Sequence, residues 1–229
     1  MIWIILIGFM ILSWLVGRQL KNRFKKYSLV PTSSGLSGAE IAQKMLKDSS
    51  IYDVSITSVE GQLTDHYNPQ NKTINLSHDV YHGRNVSAAA IAAHETGHAV
   101  QHAHVYAPLQ FRSSMVPIVN LSSKLMNFIF IASIFFSFIL NMIGMQEVIL
   151  LIVIAQAVIT LFSVVTLPVE FDASNRALAW LNSSGVTRGT EYDNAKDALK
   201  WAAMTYVVAA LAAISTLLYY VTMLTGGDD

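Results

Sequence analysis

The arrangement of apolar positions along the chain predicts four membrane-crossing helices. Four stretches contain no charged residue, namely residues 1–17, 126–145, 148–167 and 202–224. A helix rises about 1.5 Å per residue, so about 20 residues cross a hydrocarbon core of about 30 Å. The second and third stretches have this length and follow each other closely, which predicts a transmembrane hairpin over residues 126–167. The first stretch, at the short limit, is expected to be an uncleaved anchor, because basic residues follow it rather than precede it.

Basic residues indicate which side of the membrane each polar segment occupies. All 15 Lys and Arg residues lie within residues 18–125 or 168–201. Loops rich in Lys and Arg stay in the cytoplasm. Both polar blocks are therefore expected to form one small cytoplasmic domain that the hairpin divides, while a short tail over residues 225–229 follows the last crossing.

Composition excludes several classes of protein. With 53% hydrophobic and 13% charged residues, the chain is neither disordered nor an ordinary soluble domain. Its 15 basic and 15 acidic residues give no net charge, so no nucleic-acid partner is expected. The apolar stretches make the lipid bilayer an expected partner. The chain has no cysteine, which excludes disulfides, thiolate metal sites and a cysteine nucleophile. Metal chemistry would have to use histidines and carboxylates.

The first polar block predicts a short helix followed by a small sheet. Ser37 and Glu40 form a capping-box pattern in front of a helix over residues 38–48. Alternating apolar positions predict three short antiparallel strands around residues 54–59, 62–67 and 73–76.

Three further helix starts are predicted from capping residues and proline. Ser87 is expected to cap a helix that runs to about His104. Pro168 is expected to close the third crossing and to begin a new helix that ends near Asn182. Thr190 is expected to start a last helix, which continues into the fourth crossing.

The helix predicted after Ser87 contains an HExxH motif. Its histidines, His94 and His98, are four residues apart and therefore project from one helical face, where both imidazoles can bind one Zn²⁺. Glu95 is placed one step round the helix, where it can accept a proton from metal-bound water. The motif in a helical context predicts a metal site rather than two unrelated surface histidines.

A catalytic zinc site of this kind requires a third protein ligand. The candidates are Glu170, Asp172, His66, His78, His82, His102 and His104. His102 lies one turn beyond His98, but one straight helix cannot place three successive residues around a tetrahedral ion. Glu170 is better placed, directly after the third apolar stretch, and Asp172 on the same segment is its rival.

The motifs together resemble a known family. An anchor, the segment LTDHYNPQNKTINLS, then AAIAAHETGHAVQHA, a membrane hairpin and PVEFDASNRALAWL occur in this order over nearly the whole chain. This order resembles the YugP-like bacterial membrane neutral zinc metallopeptidases. It is more distantly similar to the gluzincins of the HtpX and CAAX-prenyl-protease type.

The resemblance implies a fold and a function. The fold would be mainly α, with four transmembrane helices and a small α+β zincin-like cytoplasmic domain. The function would be zinc-dependent endopeptidase activity at a bacterial plasma membrane, on cytoplasmic or membrane-proximal peptide segments. His94, His98 and Glu170 would be the Zn²⁺ ligands and Glu95 the general base. The oligomeric state is left open.

Supporting residues are less well defined by the sequence. The HtpX-type pattern has Asp four residues after its ligand Glu, where this chain has Ser174, so Asp172 or Asn175 is the candidate to support a ligand histidine. Tyr106, Arg112 and Arg176 are the candidate donors to the oxyanion of a tetrahedral intermediate. An exposed edge strand beside the HExxH helix would pair with an extended peptide.

Two alternatives to this function are considered. In a noncatalytic membrane scaffold, a closed metal site would only stabilise the fold. In an intramembrane protease of the site-2 type, the HExxH helix would itself lie in the bilayer, but the apolar run before His94 is too short to span it.

Overall fold

The computed structural model describes residues 2–135 and 144–226. The helices in this part of the chain are α1 (Ile2–Tyr27), α2 (Gly38–Asp48), α3 (His78–His82), α4 (Val86–Ala103), α5 (Ala107–Phe135), α6 (Met145–Ser183) and α7 (Thr190–Thr225). The strands are β1 (Ser55–Val59), β2 (His66–Asn68) and β3 (Thr73–Ser77). The protein is mainly helical and carries one small sheet.

Four of the helices are long and apolar enough to cross a membrane. They are α1, α5, α6 and α7, and each contains all or part of one predicted apolar stretch. This confirms the prediction of four helices able to span a bilayer. Residues 136–143 of the predicted hairpin and residues 227–229 of the predicted tail lie outside the described residues.

The chain divides into two compact units. The first comprises Met1–Trp14, Phe111–Leu167 and Tyr206–Asp229, and the second comprises Leu15–Gln110 and Pro168–Thr205. In the first unit, the buried side chains of Gln156 and Thr160 on α6 donate hydrogen bonds to the carbonyl of Ala213 on α7, at 3.2 and 3.1 Å. These bonds link two apolar helices where water does not compete for the carbonyl.

The second unit has a hydrophobic core formed by helices and sheet together. Ile41 and Leu46 of α2, Leu76 of β3 and Leu181 of α6 are all fully buried in this core. The predicted capping box at the start of α2 is confirmed. The Glu40 N–H donates to the Ser37 hydroxyl at 3.3 Å, and the Ser37 N–H donates to the Glu40 carboxylate at 2.7 Å.

The sheet is mixed, so the prediction of three antiparallel strands is wrong. Its order is β1-β3-β2, with β1 parallel to β3 and β2 antiparallel to β3. Alternation of apolar residues shows which positions face the core, but it is the same for both strand directions. Residues 60–65 lead the chain from β1 to the far side of β3, so β2 becomes an edge strand.

Pro168 lies inside α6, so the prediction that it begins a new helix is wrong. The helix is continuous from Met145 to Ser183. Proline has no backbone N–H, so the carbonyl of Val164 loses its helical hydrogen-bond partner. The helix is long and keeps its other hydrogen bonds, so it continues through Pro168. One consequence is that Glu170 and Ser174 belong to the same helix as the third apolar stretch.

Candidate metal centre

Helix α4 carries the HExxH motif and is almost entirely buried within the second unit. Its N-cap is Asn85, whose side chain accepts a hydrogen bond from the Ala88 N–H at 3.0 Å. The prediction of Ser87 as the cap is wrong, because Ser87 lies in the first turn and its hydroxyl donates to the carbonyl of Phe24 at 2.8 Å. Both residue types cap helices well, so local sequence did not decide between them.

Three side chains converge between α4 and α6. The Nε2 atoms of His94 and His98 lie 3.4 and 3.6 Å from the same carboxylate oxygen, Oε2 of Glu170. One possible ligand atom from each residue lies within 4.8 Å of those of the other two. The structure thus brings Glu170, a candidate third ligand, to the two histidines of the motif.

A glycine in the motif allows the two helices to approach this closely. A Cβ atom at Gly97 would lie only 2.7 Å from the carbonyl oxygen of Ala173 on α6. Real Cβ atoms are not found so close to a backbone oxygen, so any side chain here would push the helices apart. Gly97 therefore keeps Glu170 within reach of both imidazoles.

The charge state of the cluster suits a divalent cation. Burial disfavours the ionised form of Glu170, but the two adjacent imidazoles outweigh burial and lower the pKa of this carboxyl below its ordinary value. Burial likewise opposes protonation of His98, but Glu170 and Glu95 outweigh it and raise the pKa of the ring. The Glu170 carboxylate thus attracts positive charge to the cluster, which a proton on His98 or a divalent cation can supply.

One buried atom of the cluster lacks a hydrogen-bond partner. Oε2 of Glu170 is inaccessible to solvent and accepts no hydrogen bond with acceptable geometry. Such an atom is costly unless a cation or donor satisfies it. Two imidazole nitrogens and one carboxylate form a donor set that Zn²⁺ accepts with an open fourth position. The residues therefore fit a zinc ion.

Glu95 lies beside the cluster and is held by the sheet. Only 8% of its surface is exposed, and its Oε2 accepts a hydrogen bond from the Tyr67 N–H at 3.0 Å. Tyr67 is in the edge strand β2, so the free edge of the sheet reaches the motif. Asp65, which precedes β2, is half-buried, and its partial burial is the main cause of its raised pKa, to which the charge of Glu95 adds.

Both histidines are supported through their second ring nitrogen. The Ser174 hydroxyl lies 3.2 Å from Nδ1 of His94, so the position where the HtpX-type pattern has Asp does contact a histidine. Nδ1 of His98 lies 3.0 Å from Oε1 of Gln101. Gln101 is not among the supporting residues predicted from the sequence. Its spacing, three residues after His98 on the same helix, is the signal that would have indicated this contact.

Of the two residues suggested as histidine supports, neither contacts a ligand histidine directly. Asp172 accepts hydrogen bonds from Gln101 at 2.8 Å and from Arg176 at 2.5 Å, and it lies outside the three-residue cluster. Asn175 is exposed on α6. Asp172 therefore reaches His98 only through Gln101.

The remaining third-ligand candidates are engaged elsewhere. His102 pairs through Nδ1 with the Tyr67 hydroxyl at 2.7 Å, and His66 pairs with the carbonyl of Thr64 at 2.8 Å. The rings of His78 and His82 in α3 contact each other at a tilted angle, with their centres 4.7 Å apart, and His104 is the C-cap of α4. In the described part of the chain, none of these histidines joins the cluster of His94, His98 and Glu170.

The candidate oxyanion donors occupy two different units. The Arg176 guanidinium lies over the Tyr106 ring, 5.7 Å from its centre, within the second unit. Arg112 belongs to the first unit, where it lies 5.6 Å from the centre of the Phe162 ring. Arg176 also donates a hydrogen bond from Nε to Asp172, so one of its donors is already used in the structure.

Comparison with known proteins identifies the family. Residues 2–225 match the model of the family described as "Putative neutral zinc metallopeptidase". The chain is 40% identical over 218 residues to the "Putative membrane protease YugP" of Bacillus subtilis (strain 168), covering 95% of this chain and 94% of that relative. No solved structure matches the chain. The resemblance found in the sequence is thus confirmed, and this chain belongs to the neutral zinc metallopeptidase family.

Proposed function

We propose that this protein is a membrane-bound, zinc-dependent endopeptidase with a zincin-like cytoplasmic domain. His94, His98 and Glu170 are the zinc ligands, and Glu95 is the general base. The observation that carries the proposal is the buried, unpartnered Oε2 of Glu170, which faces the Nε2 atoms of both histidines. The family and the relative's name support the same activity.

The chain's own residues supply the proton transfers of peptide hydrolysis. When bound, zinc polarises the substrate carbonyl and lowers the pKa of water to about 7. Glu95 accepts the proton of the attacking water and returns it to the leaving nitrogen of the peptide. The Tyr67 N–H occupies one oxygen of Glu95 and so orients the carboxylate, leaving the other oxygen for the proton.

The proposed substrate is an extended peptide bound along β2. In the register of the sheet, Tyr67 lies opposite Ile74 of β3, and its N–H is directed away from β3 to Glu95. The free edge of β2 therefore borders Glu95. A peptide added to this edge by main-chain hydrogen bonds would lie next to the general base.

The site is proposed to face the cytoplasm, close to the bilayer. Glu170 lies three residues after the end of the third apolar stretch. The two polar blocks together contain all of the Lys and Arg residues, which is typical of cytoplasmic segments. The substrates would then be cytoplasmic or membrane-proximal segments. In the described residues, α4 is not among the helices apolar enough to span a membrane, which disfavours the site-2 alternative.

The activity is tested by replacing the general base. Glu95→Gln should retain one zinc per chain but lose about 10²- to 10⁴-fold of the parent's hydrolysis rate on unstructured casein or quenched-fluorescence peptides. Glu60→Gln, the same chemical change at an exposed glutamate, is the control. A closed zinc site with no hydrolysis by the parent would favour the scaffold alternative, and an E95Q variant as active as the parent would refute the role of Glu95.

The location of the site is tested by cysteine labelling, because the chain has no natural cysteine. Tyr52→Cys, at a position 80% exposed in the second unit, should react with a membrane-impermeant maleimide only after the cells are opened. Trp3→Cys, near the amino-terminal end of α1, is the control for the outer side of the membrane and should react in intact cells. Labelling of position 52 in intact cells would place the site on the opposite side.

A further inference from the structure

Gln101 is a fully buried polar residue for which the proposed chemistry has no role. It lies on α4, one turn after His98, and all three polar groups around its amide are within hydrogen-bond distance. Its Nε2 donates to the carbonyl of Val169 at 2.7 Å and to the carboxylate of Asp172 at 2.8 Å, both on α6. Its Oε1 lies 3.0 Å from Nδ1 of His98.

These contacts fix the orientation of the amide and, through it, the protonation of the histidine. The carbonyl of Val169 and the carboxylate of Asp172 are acceptors only, so the NH₂ group must face them and Oε1 must face His98. An oxygen at this place accepts a hydrogen bond, so Nδ1 of His98 carries the proton. Oε2 of Glu170 lies 3.6 Å from Nε2 and makes no hydrogen bond with it, so a neutral ring keeps on Nε2 the lone pair that a metal ligand needs.

Asp172 also contacts Arg176, which extends the arrangement along α6. Arg176 donates from Nε to the same Asp172 oxygen at 2.5 Å. The order Arg176, Asp172, Gln101, His98 is therefore a chain of donors and acceptors in which each orientation follows from the one before. Hydrogen bonding to the Nδ1–H also raises the basicity of the ring as a ligand.

We propose that Gln101 is a positioning residue that holds His98 in the Nδ1–H tautomer and so prepares Nε2 to bind the metal. The link to zinc affinity rests on the proposed function, whereas the tautomer is a property of the metal-free protein. Loss of the Gln101 amide should therefore allow a mixture of His98 tautomers in the metal-free protein, and weaken zinc binding by about 10- to 100-fold.

The test compares Gln101→Met with Thr96→Val in the purified full-length protein. Thr96 is also fully buried on α4, and its hydroxyl donates only to the carbonyl of Ala92 in its own helix, so this variant controls for loss of a buried polar group. The ring nitrogens of His98 are observed by ¹⁵N NMR in metal-free protein at alkaline pH, where the ring is neutral. Zinc affinity is measured by chelator competition.

The expected result is a single Nδ1–H tautomer for His98 in the parent and in T96V, and a mixture of tautomers in Q101M with weaker zinc binding. If Q101M does not fold, Asp172→Ala is tested instead. This substitution removes one hydrogen-bond acceptor of the Gln101 NH₂ group at a partly exposed site. It should weaken the preference of His98 for the Nδ1–H tautomer and lower zinc affinity by a smaller factor than Q101M.

Two results would overturn the inference: an Nε2–H tautomer in the metal-free parent, or an unchanged tautomer and zinc affinity in the variant that folds. A parent that shows the Nδ1–H tautomer but binds no zinc would refute the proposed function and leave the role of Gln101 in tautomer selection supported.

Discussion

The contact between Gly97 and Ala173 predicts that the smallest added side chain will disturb the metal centre. In Gly97→Ala, the new Cβ would begin 2.7 Å from the carbonyl oxygen of Ala173. An ordinary contact of this kind is about 3.5 Å, so α4 and α6 must separate locally by up to about 0.8 Å. Metal ligand distances tolerate only about 0.2 Å, so Glu170 should no longer complete the ligand set without strain.

The expected magnitudes follow from two opposing effects. Overpacking of this kind costs about 1–3 kcal/mol, while replacing glycine by alanine inside a helix returns up to about 1 kcal/mol. The free energy of unfolding should therefore fall by about 0–3 kcal/mol. Zinc affinity should fall by at least about tenfold, since a misplaced ligand costs about 1.4 kcal/mol or more.

The assay is thermal unfolding with and without zinc, together with chelator competition. Gly17→Ala on α1 is the matched control, because a Cβ there meets no atom within 4 Å. It should keep the parent's zinc affinity and gain up to about 1 kcal/mol of stability. If G97A behaves as G17A does, the close approach of α4 to α6 is not what holds Glu170 near the histidines.

Three further predictions concern the metal, the cap of α4 and the cap of α2. Removing zinc with a chelator should lower the melting temperature of the parent and of Glu95→Gln alike, because Glu95 is not one of the proposed ligands; a shift only in the parent would contradict this. Asn85→Ala should lower the free energy of unfolding by about 1 kcal/mol through loss of the bond to Ala88, measured by chemical denaturation. A loss below about 0.5 kcal/mol would contradict Asn85 as the cap. The hydrogen bond from the Ser37 backbone lowers the pKa of Glu40 in the folded state. The contribution of this carboxylate to the free energy of unfolding is therefore complete above its ordinary pKa of 4.5, and it is lost as the pH falls through the lowered pKa. The free energy of unfolding should therefore decrease less at acid pH in Glu40→Gln than in the parent, and an equal decrease would refute this.

Sequence patterns predicted those parts of the fold that depend on local spacing. The cap of α2 follows from the spacing of Ser37 and Glu40, and the four apolar helices follow from their length and lack of charge. The one-turn separation of His94 and His98 follows from the period of a helix. Strand direction did not follow, because the residues that alternate in β1 would alternate equally in either direction. The direction depends on the path of residues 60–65, which no short pattern encodes.

The errors in helix boundaries have a different cause. Asn85 and Ser87 are both good N-caps, and the choice is made by tertiary contacts, since the Ser87 hydroxyl is used by the carbonyl of Phe24. Pro168 has a strong preference for the first turn of a helix, but α6 continues through it because the helix is long and the loss is one hydrogen bond. Local preference was outweighed by the rest of the structure in both cases.

Gln101 shows why supporting residues are harder to predict than ligands. A metal ligand must be one of a few residue types, so His94, His98 and Glu170 could be listed from the sequence. A supporting residue needs only an oxygen or a nitrogen at the right place, and a glutamine near a helix end is typical of solvent-exposed positions. Its burial depends on α6, which lies 68 residues further along the chain at Val169.

The short segment of α6 from Glu170 to Ser174 connects these contacts. Within little more than one turn, this helix provides Glu170 to the cluster, Asp172 to Gln101, the Ala173 carbonyl against Gly97, and Ser174 to His94. Because a helix moves as a rigid segment over this distance, a shift that displaces one of these contacts displaces all of them. Zinc affinity in this protein should therefore report on the packing of α6 against α4, and single substitutions at these contacts should combine non-additively.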